Sequence, residues 1–135
     1  ELRLRRHPED YGPNITKLLE EGIACPATDY ARAKEHQERL KEEMRICIEA
    51  VCVDVLLCPA TTMPAPDRAT TGDPAFNSPW SYTGLPTISF PVGLSDDGLP
   101  LAIQLVAKEY EEPEAFWAAL WCEKALAVRM AEPPL

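Results

Sequence analysis

The segment FNSPWSYTGLPTISFPVG, residues 76–93, is the most constrained part of this chain, because Pro79, Pro86 and Pro91 each fix φ and delete a backbone donor. Gly84, between them, permits a close backbone approach or a positive φ. Asn77, Ser78, Ser81, Tyr82 and Thr83 thus sit as hydrogen-bonding side chains on a stiffened backbone, beside Phe76 and Trp80. Such a segment suits a pocket wall that orients a small ligand. The same residue types also fit a well-ordered connection that merely enters a sheet.

The residues after this segment are sheet-like. In PTISFPVGLSDDGLPLAIQLVAK, Ile88, Phe90 and Val92 alternate onto one face, as do Leu101, Ile103 and Leu105. Asp96, Asp97 and Gly98 supply the turn, with Gly98 suited to positive φ, which predicts an antiparallel hairpin. Asp96 and Asp97 are explained by that turn rather than by acid–base work. Gln104 alternates with the apolar residues of its strand and reads as a structural hydrogen-bonding residue. Pro113 opens a last helix, PEAFWAALWCEKALAVRM, with Phe116, Ala119, Leu120 and Cys122 or Glu123 on its inner side and Trp117 and Trp121 one turn apart.

The part before the segment is helical and then apolar. Pro13 lies just inside the start, and Gly22 just past the end, of a short helix with Ile15, Leu18 and Leu19 on one face. Thr28 offers an N-cap to a long helix reaching Val51, in which Tyr30, Ala33, Gln37, Leu40, Met44, Cys47, Ile48 and Val51 recur at helical spacing. Residues 54–59, DVLLCP, form a continuous apolar run stopped by proline, as in a strand buried on both faces of an α/β sheet. The Pro/Thr/Gly/Ala-rich residues after it lack periodicity and read as a loop, a common place for function.

Composition narrows the partners. A net charge of −9 repels phosphate backbones, and the basic cluster Arg3, Arg5 and Arg6 is followed at once by Glu9 and Asp10, so direct nucleic-acid binding is not expected. No apolar run approaches the roughly 18 residues of a membrane span, and a soluble, cytoplasmic protein is expected. The five cysteines form no C-x-x-C pair and no metal-like spacing with His7 or His36; they read as buried, reduced thiols. The chain opens at Glu1 without an initiator Met, and ELRLRRHPED does not resemble a signal peptide, which is consistent with a piece of something larger. It holds no Gly-rich phosphate loop, no G-x-S-x-G elbow and no H-E-x-x-H, so no self-contained active site is visible.

Three linked stretches, DVLLCPATTMPAP, FNSPWSYTGLPTISFPVGLSDDGLPLAIQLVAKEY and an acidic start to the final helix, resemble the C-terminal portion of the amidase signature family. Gly84, Pro86, Ser89, Pro91, Gly93, Gly98, Leu99, Pro100 and Gln104 fall in register with the family's pattern, and TDYARAKEHQERL resembles its preceding helix. The departures are Ser81, where many members carry Asn, Thr87 for Ala, and Ala102 and Ala107 for two glycines. Substrate specificity therefore does not transfer from better-known members.

The resemblance implies an α/β fold, part of the amidase signature fold, with a mixed β-sheet covered by helices. It implies that residues 1–135 are the C-terminal segment of such a domain, with 1–53 a helical region, 54–110 the sheet strands and pocket loop, and 111–135 a C-terminal helix. It implies hydrolysis of amide C–N bonds by a Ser–Ser–Lys triad, with no metal and no cofactor. None of Ser78, Ser81, Ser89 or Ser95 matches the triad, so this chain alone is expected to be inactive and to partner the missing N-terminal part of the same protein. Phe76, Asn77, Trp80 and Ser81 are expected nearest a small-molecule amide substrate, with Asp73 on the preceding loop. A homo-oligomer is compatible with the sequence. The alternatives are a subunit of a glutamine-dependent tRNA amidotransferase, and a non-catalytic scaffold that binds a partner through the charged helix of residues 29–51.

Overall fold

The computed structural model describes residues 2–128, and the chain divides between residues 38 and 39 into two compact units. In the first, α1 (Leu2–Arg6) and a 3₁₀ turn (Pro8–Asp10) precede α2 (Pro13–Ala24). Pro13 starts α2 after an extended Gly12, whose carbonyl accepts the Thr16 N–H at 3.0 Å. Gly22 does not end this helix as predicted. The stop is Cys25, held extended at ψ 125° ahead of Pro26, where a following proline disfavours helical geometry.

α3 (Ala27–Val51) belongs to both units. Its first turn is satisfied by the Pro26 carbonyl, which accepts the N–H groups of Asp29 and Tyr30 at 3.0 Å, rather than by a Thr28 cap. Of the apolar side expected for this helix, only Ile48 is buried; Tyr30 and Val51 are exposed. The helix is instead laced by surface ion pairs, above all Arg45, which donates to both carboxylate oxygens of Glu42 at 2.6 and 2.8 Å and to Glu49 at 2.7 Å. These hydrogen bonds hold the Glu42 carboxyl below its ordinary pKa. The helix stops at Cys52, which adopts a left-handed φ of 53° and returns its N–H to Glu49 O at 3.2 Å.

The second unit is organised by a three-stranded antiparallel sheet of β1 (Val55–Pro59), β2 (Thr87–Leu94) and β3 (Pro100–Ala107), in the order β1-β3-β2. The fold class is α/β. The predicted hairpin forms: Gly98 turns at φ 77° and donates to Ser95 O, while Ser95 N–H bonds Leu99 O at 2.8 Å. Between Pro91 and Gly93 the register shifts, a bulge on an edge strand where proline's missing donor is tolerated. β1 departs from expectation. It is an edge strand with no fully buried residue, and Leu57 is 61% exposed, because the packed centre of the α5 face lies over β2 and β3 at Phe90 and Leu105.

One face of the sheet carries the apolar core. Phe90, Leu105 and Ala119 form its centre, with Val55, Ile88, Val92, Ile103, Ala118 and Cys122 packed around them. Helix α5 (Glu112–Leu126) covers this face through Ala115, Ala118, Ala119 and Cys122, positions i, i+3, i+4 and i+7 of one stripe. The predicted inner residues Phe116 and Leu120 are exposed instead, as are Trp117 and Trp121. Small side chains let the helix lie close to the strands, and this excludes the bulky residues from the contact. Arg129 and Met130 of the predicted helix lie outside the described residues. The cysteines also depart from expectation. All five are free, but Cys25, Cys47 and Cys52 are exposed and Cys58 and Cys122 half-buried; Cys25 and Cys52 sit at the ends of α2 and α3, and Cys47 lies on the uncovered side of α3.

Candidate functional site

The predicted site residues lie on the loop of residues 60–77 and on α4 (Ser78–Thr83), a short helix where the residue types predict only a stiffened connection. α4 forms because Pro79 occupies the first turn, where its missing N–H is no loss, and Gly84 closes the helix in the left-handed region at φ 75°, its N–H bonding Trp80 O at 2.7 Å. Thr83 is buried and returns its hydroxyl to Pro79 O at 2.8 Å.

Local side-chain hydrogen bonds shape the loop that feeds α4. The Thr61 hydroxyl donates to Met63 O at 2.7 Å; Asp67 Oδ1 accepts Ala69 N–H and Asp73 Oδ1 accepts Ala75 N–H, both at 2.9 Å. Gly72 turns at φ 87°, with Pro66 already in contact with the space a Cβ would fill. At the loop's exit, Pro74 O accepts the N–H groups of Asn77 and Ser78 at 2.8 Å.

The loop is anchored to the sheet on the side away from α5. Gln104 alternates with Leu105 along β3, so its side chain leaves the opposite face, where it is 3% exposed and donates to Phe76 O at 2.6 Å and Pro59 O at 3.2 Å. This is the structural role expected from its position in the strand. Asn77 Nδ2 adds a bond to Ala60 O at 3.2 Å.

A cavity of about 170 Å³ lies within the loop. Asp73 and Asn77 line it together with Thr61, Thr62, Thr71 and Pro66. Phe76, Trp80 and Ser81 do not. Phe76 lends its carbonyl to Gln104, Ser81 is exposed on α4, and Trp80 is half-buried with an indole nitrogen that is shielded and has no acceptor among the described residues. The threonine-rich loop stands out in the sequence as a place for function, but its individual threonines do not, although the tripeptide ATT at residues 60–62 and again at 69–71 marks where they fall. The site sets hydroxyls, one carboxylate and one amide into a small cavity whose lining, with Met63, Ala65, Pro66 and Pro74, is otherwise apolar. Among the described residues, no group of three His, Cys, Asp or Glu side chains could hold a metal, and no helix is long and apolar enough to cross a membrane.

This fold, an antiparallel sheet with a helix on one face and an anchored loop on the other, superposes on solved amide-cleaving enzymes. One, described as the crystal structure of amidase, superposes with a TM-score of 0.79 at 27% identity, covering 90% of this chain and 30% of that one. The 6-aminohexanoate cyclic dimer hydrolase shares the fold at a TM-score of 0.64 and 20% identity, over 84% of this chain and 28% of its own. The Amidase family profile matches residues 5–116, and the chain belongs to that family. Among curated relatives, the A subunit of the glutamyl-tRNA(Gln) amidotransferase of Rhodospirillum rubrum is 37% identical over 106 residues, which are 73% of this chain and 21% of that protein. The protein of that name from Bartonella henselae is 34% identical over 113 residues, 76% of this chain and 23% of its own. The chain thus spans between a fifth and a quarter of the length of these relatives.

Proposed function

We propose that this chain is the C-terminal part of an amidase-signature enzyme that hydrolyses amide C–N bonds, supplying sheet core and one wall of the substrate pocket. In this reading the Ser–Ser–Lys triad lies upstream, where a lysine deprotonates the bridging serine, that serine activates the nucleophile, and backbone N–H groups stabilise the oxyanion. In this reading the chain comprises a helical region (1–53), the strands and pocket loop (54–110), and a C-terminal segment (111–135) that α5 opens. Asp73, Phe76, Asn77, Trp80 and Ser81 face a small-molecule amide, and the whole works in the cytoplasm.

The observation that carries this reading is the Gln104 anchor, which fixes the aromatic, hydroxyl-bearing segment to the central strand of an amidase-type sheet. A pocket wall needs such support from a rigid element. Trp80→Ala in the full-length enzyme tests it. We expect kcat/KM for its amides to fall about tenfold or more as contact area at the substrate is lost. Wild-type activity toward every accepted amide, with the fold intact, would remove Trp80 from the wall.

A second reading is favoured by the names of the relatives: one component of a glutamine-dependent amidotransferase acting on charged tRNA. The acidity of the chain then assigns the nucleic acid to a different component. Glutamine hydrolysis that appears only with a co-purifying partner supports this reading; efficient turnover of simple amides by the full-length protein alone supports the first.

A further inference from the structure

Two side-chain amides close the neck of the loop of residues 60–77. The chain enters at Pro59 and leaves at Phe76, and the carbonyl oxygens of both residues accept from Gln104 Nε2. Asn77 ties the same neck one residue further along, at Ala60 O, and Ala60 N–H in turn bonds Ala102 O on β3 at 3.0 Å. Gln104 is well placed to hold both ends, because its backbone is paired on both sides, opposite Cys58 of β1 and Ser89 of β2.

The chemistry at this point is exacting. A primary amide carries two N–H donors on one nitrogen, and here both meet carbonyl acceptors. A carboxylate of the same shape offers no donor and sets its oxygens against two carbonyl dipoles. A methionine fills the volume and donates nothing. Neither replacement can join the two ends.

We infer that Gln104 is a positioning residue for the site: by holding Pro59 and Phe76 at one buried point, it fixes where the loop presents Asp73 and Asn77 and where α4 begins. This rests on the reading of the loop as a wall of an amide-binding pocket. Gln104 itself touches no substrate. Its effect passes through the two backbone carbonyls.

The test compares wild type, Gln104→Glu and Gln104→Met in the full-length protein, with two readouts. Arg68 lies in the exposed part of the loop, so trypsin cleavage after it, mapped by the mass of the new termini, reports opening of the neck. Steady-state amide hydrolysis reports positioning. We expect cleavage after Arg68 to accelerate about tenfold in both variants, and KM to rise about tenfold while kcat changes by less than about twofold. In Gln104→Glu, lowering the pH protonates the carboxyl, restores one O–H donor and brings KM back toward wild type; Gln104→Met shows no such recovery. Should the glutamate variant not fold, the volume-conserving methionine variant carries the comparison.

Unchanged cleavage and unchanged KM would overturn the inference. So would faster cleavage with unchanged KM, since the neck would then open without disturbing the site. A full-length wild type that turned over no amide would defeat the pocket reading instead, and cleavage after Arg68 would still decide whether Gln104 holds the neck.

Discussion

Asn77 Nδ2 donates to the carbonyl oxygen of Ala60 at 3.2 Å, tying together residues 17 positions apart, and Asn77 also lines the cavity of the loop. One side chain therefore serves both the closure of the loop and its polar wall. Asn77→Ala is expected to lower stability by about 0.5–1.5 kcal/mol, the usual net value of one such bond. Equilibrium urea denaturation checks this, and an unchanged midpoint would show that Ala60 is held without it.

Trp80 poses the opposite case, a shielded donor with no acceptor among the described residues. An unmet buried N–H costs about 1–3 kcal/mol, so Trp80→Phe, which keeps an aromatic ring and removes the donor, should leave the isolated chain within about 0.5 kcal/mol of wild type or more stable. Thermal melting of the two proteins measures the difference. A loss above about 1 kcal/mol would contradict the orphaned state of the indole.

The two faces of α5 should respond very differently to substitution. Ala119 is 4% exposed and sits against Phe90 and Leu105, so Ala119→Leu overpacks the core and should cost about 1–3 kcal/mol. Trp117 is 70% exposed, and Trp117→Ala should stay within about 0.5 kcal/mol. Paired denaturation curves decide it. The reverse ranking would mean that the aromatic side of the helix is the packed one.

Arg45 and Glu42 give the long helix a modest pH dependence. The Glu42 carboxyl is held below its ordinary pKa by the hydrogen bonds from Arg45, so its contribution is present above the unfolded pKa and is lost as the pH falls through the depressed folded value. The window lies below about pH 4. Because the pair is exposed, the effect is small and salt-sensitive. Circular dichroism in the far ultraviolet, titrated into acid, should show a loss of helix in wild type that is reduced in Glu42→Gln; identical titrations would assign the acid sensitivity to other carboxylates.

Local chemistry makes much of this fold legible in the sequence. The alternation around Phe90 and Ile103 and the Asp97–Gly98 turn define the hairpin, and Pro113 marks the last helix, because each depends on residues near one another in the chain. Non-local pairing is not legible: nothing in DVLLCP reveals that it lies antiparallel to β3 at an edge of the sheet. The inner face of α5 differs from expectation because aromatic residues outweigh alanines in any hydrophobic ranking, whereas the small-residue stripe at 115, 118, 119 and 122 is what fits against the strands. At the candidate site, Gln104 stands out as structural from its place in the strand. The two ends of the loop that it joins, and the threonines that line the cavity, become visible only once the chain has folded back on itself.

Whether this chain contributes a pocket wall to an amidase without carrying its nucleophile is decided by assaying two proteins side by side. The full-length enzyme and the purified 135-residue chain are each offered a panel of small amides and a serine-directed fluorophosphonate probe. We expect amide turnover and probe labelling by the full-length enzyme and neither by the chain alone. Turnover or labelling of the 135-residue chain itself would contradict it.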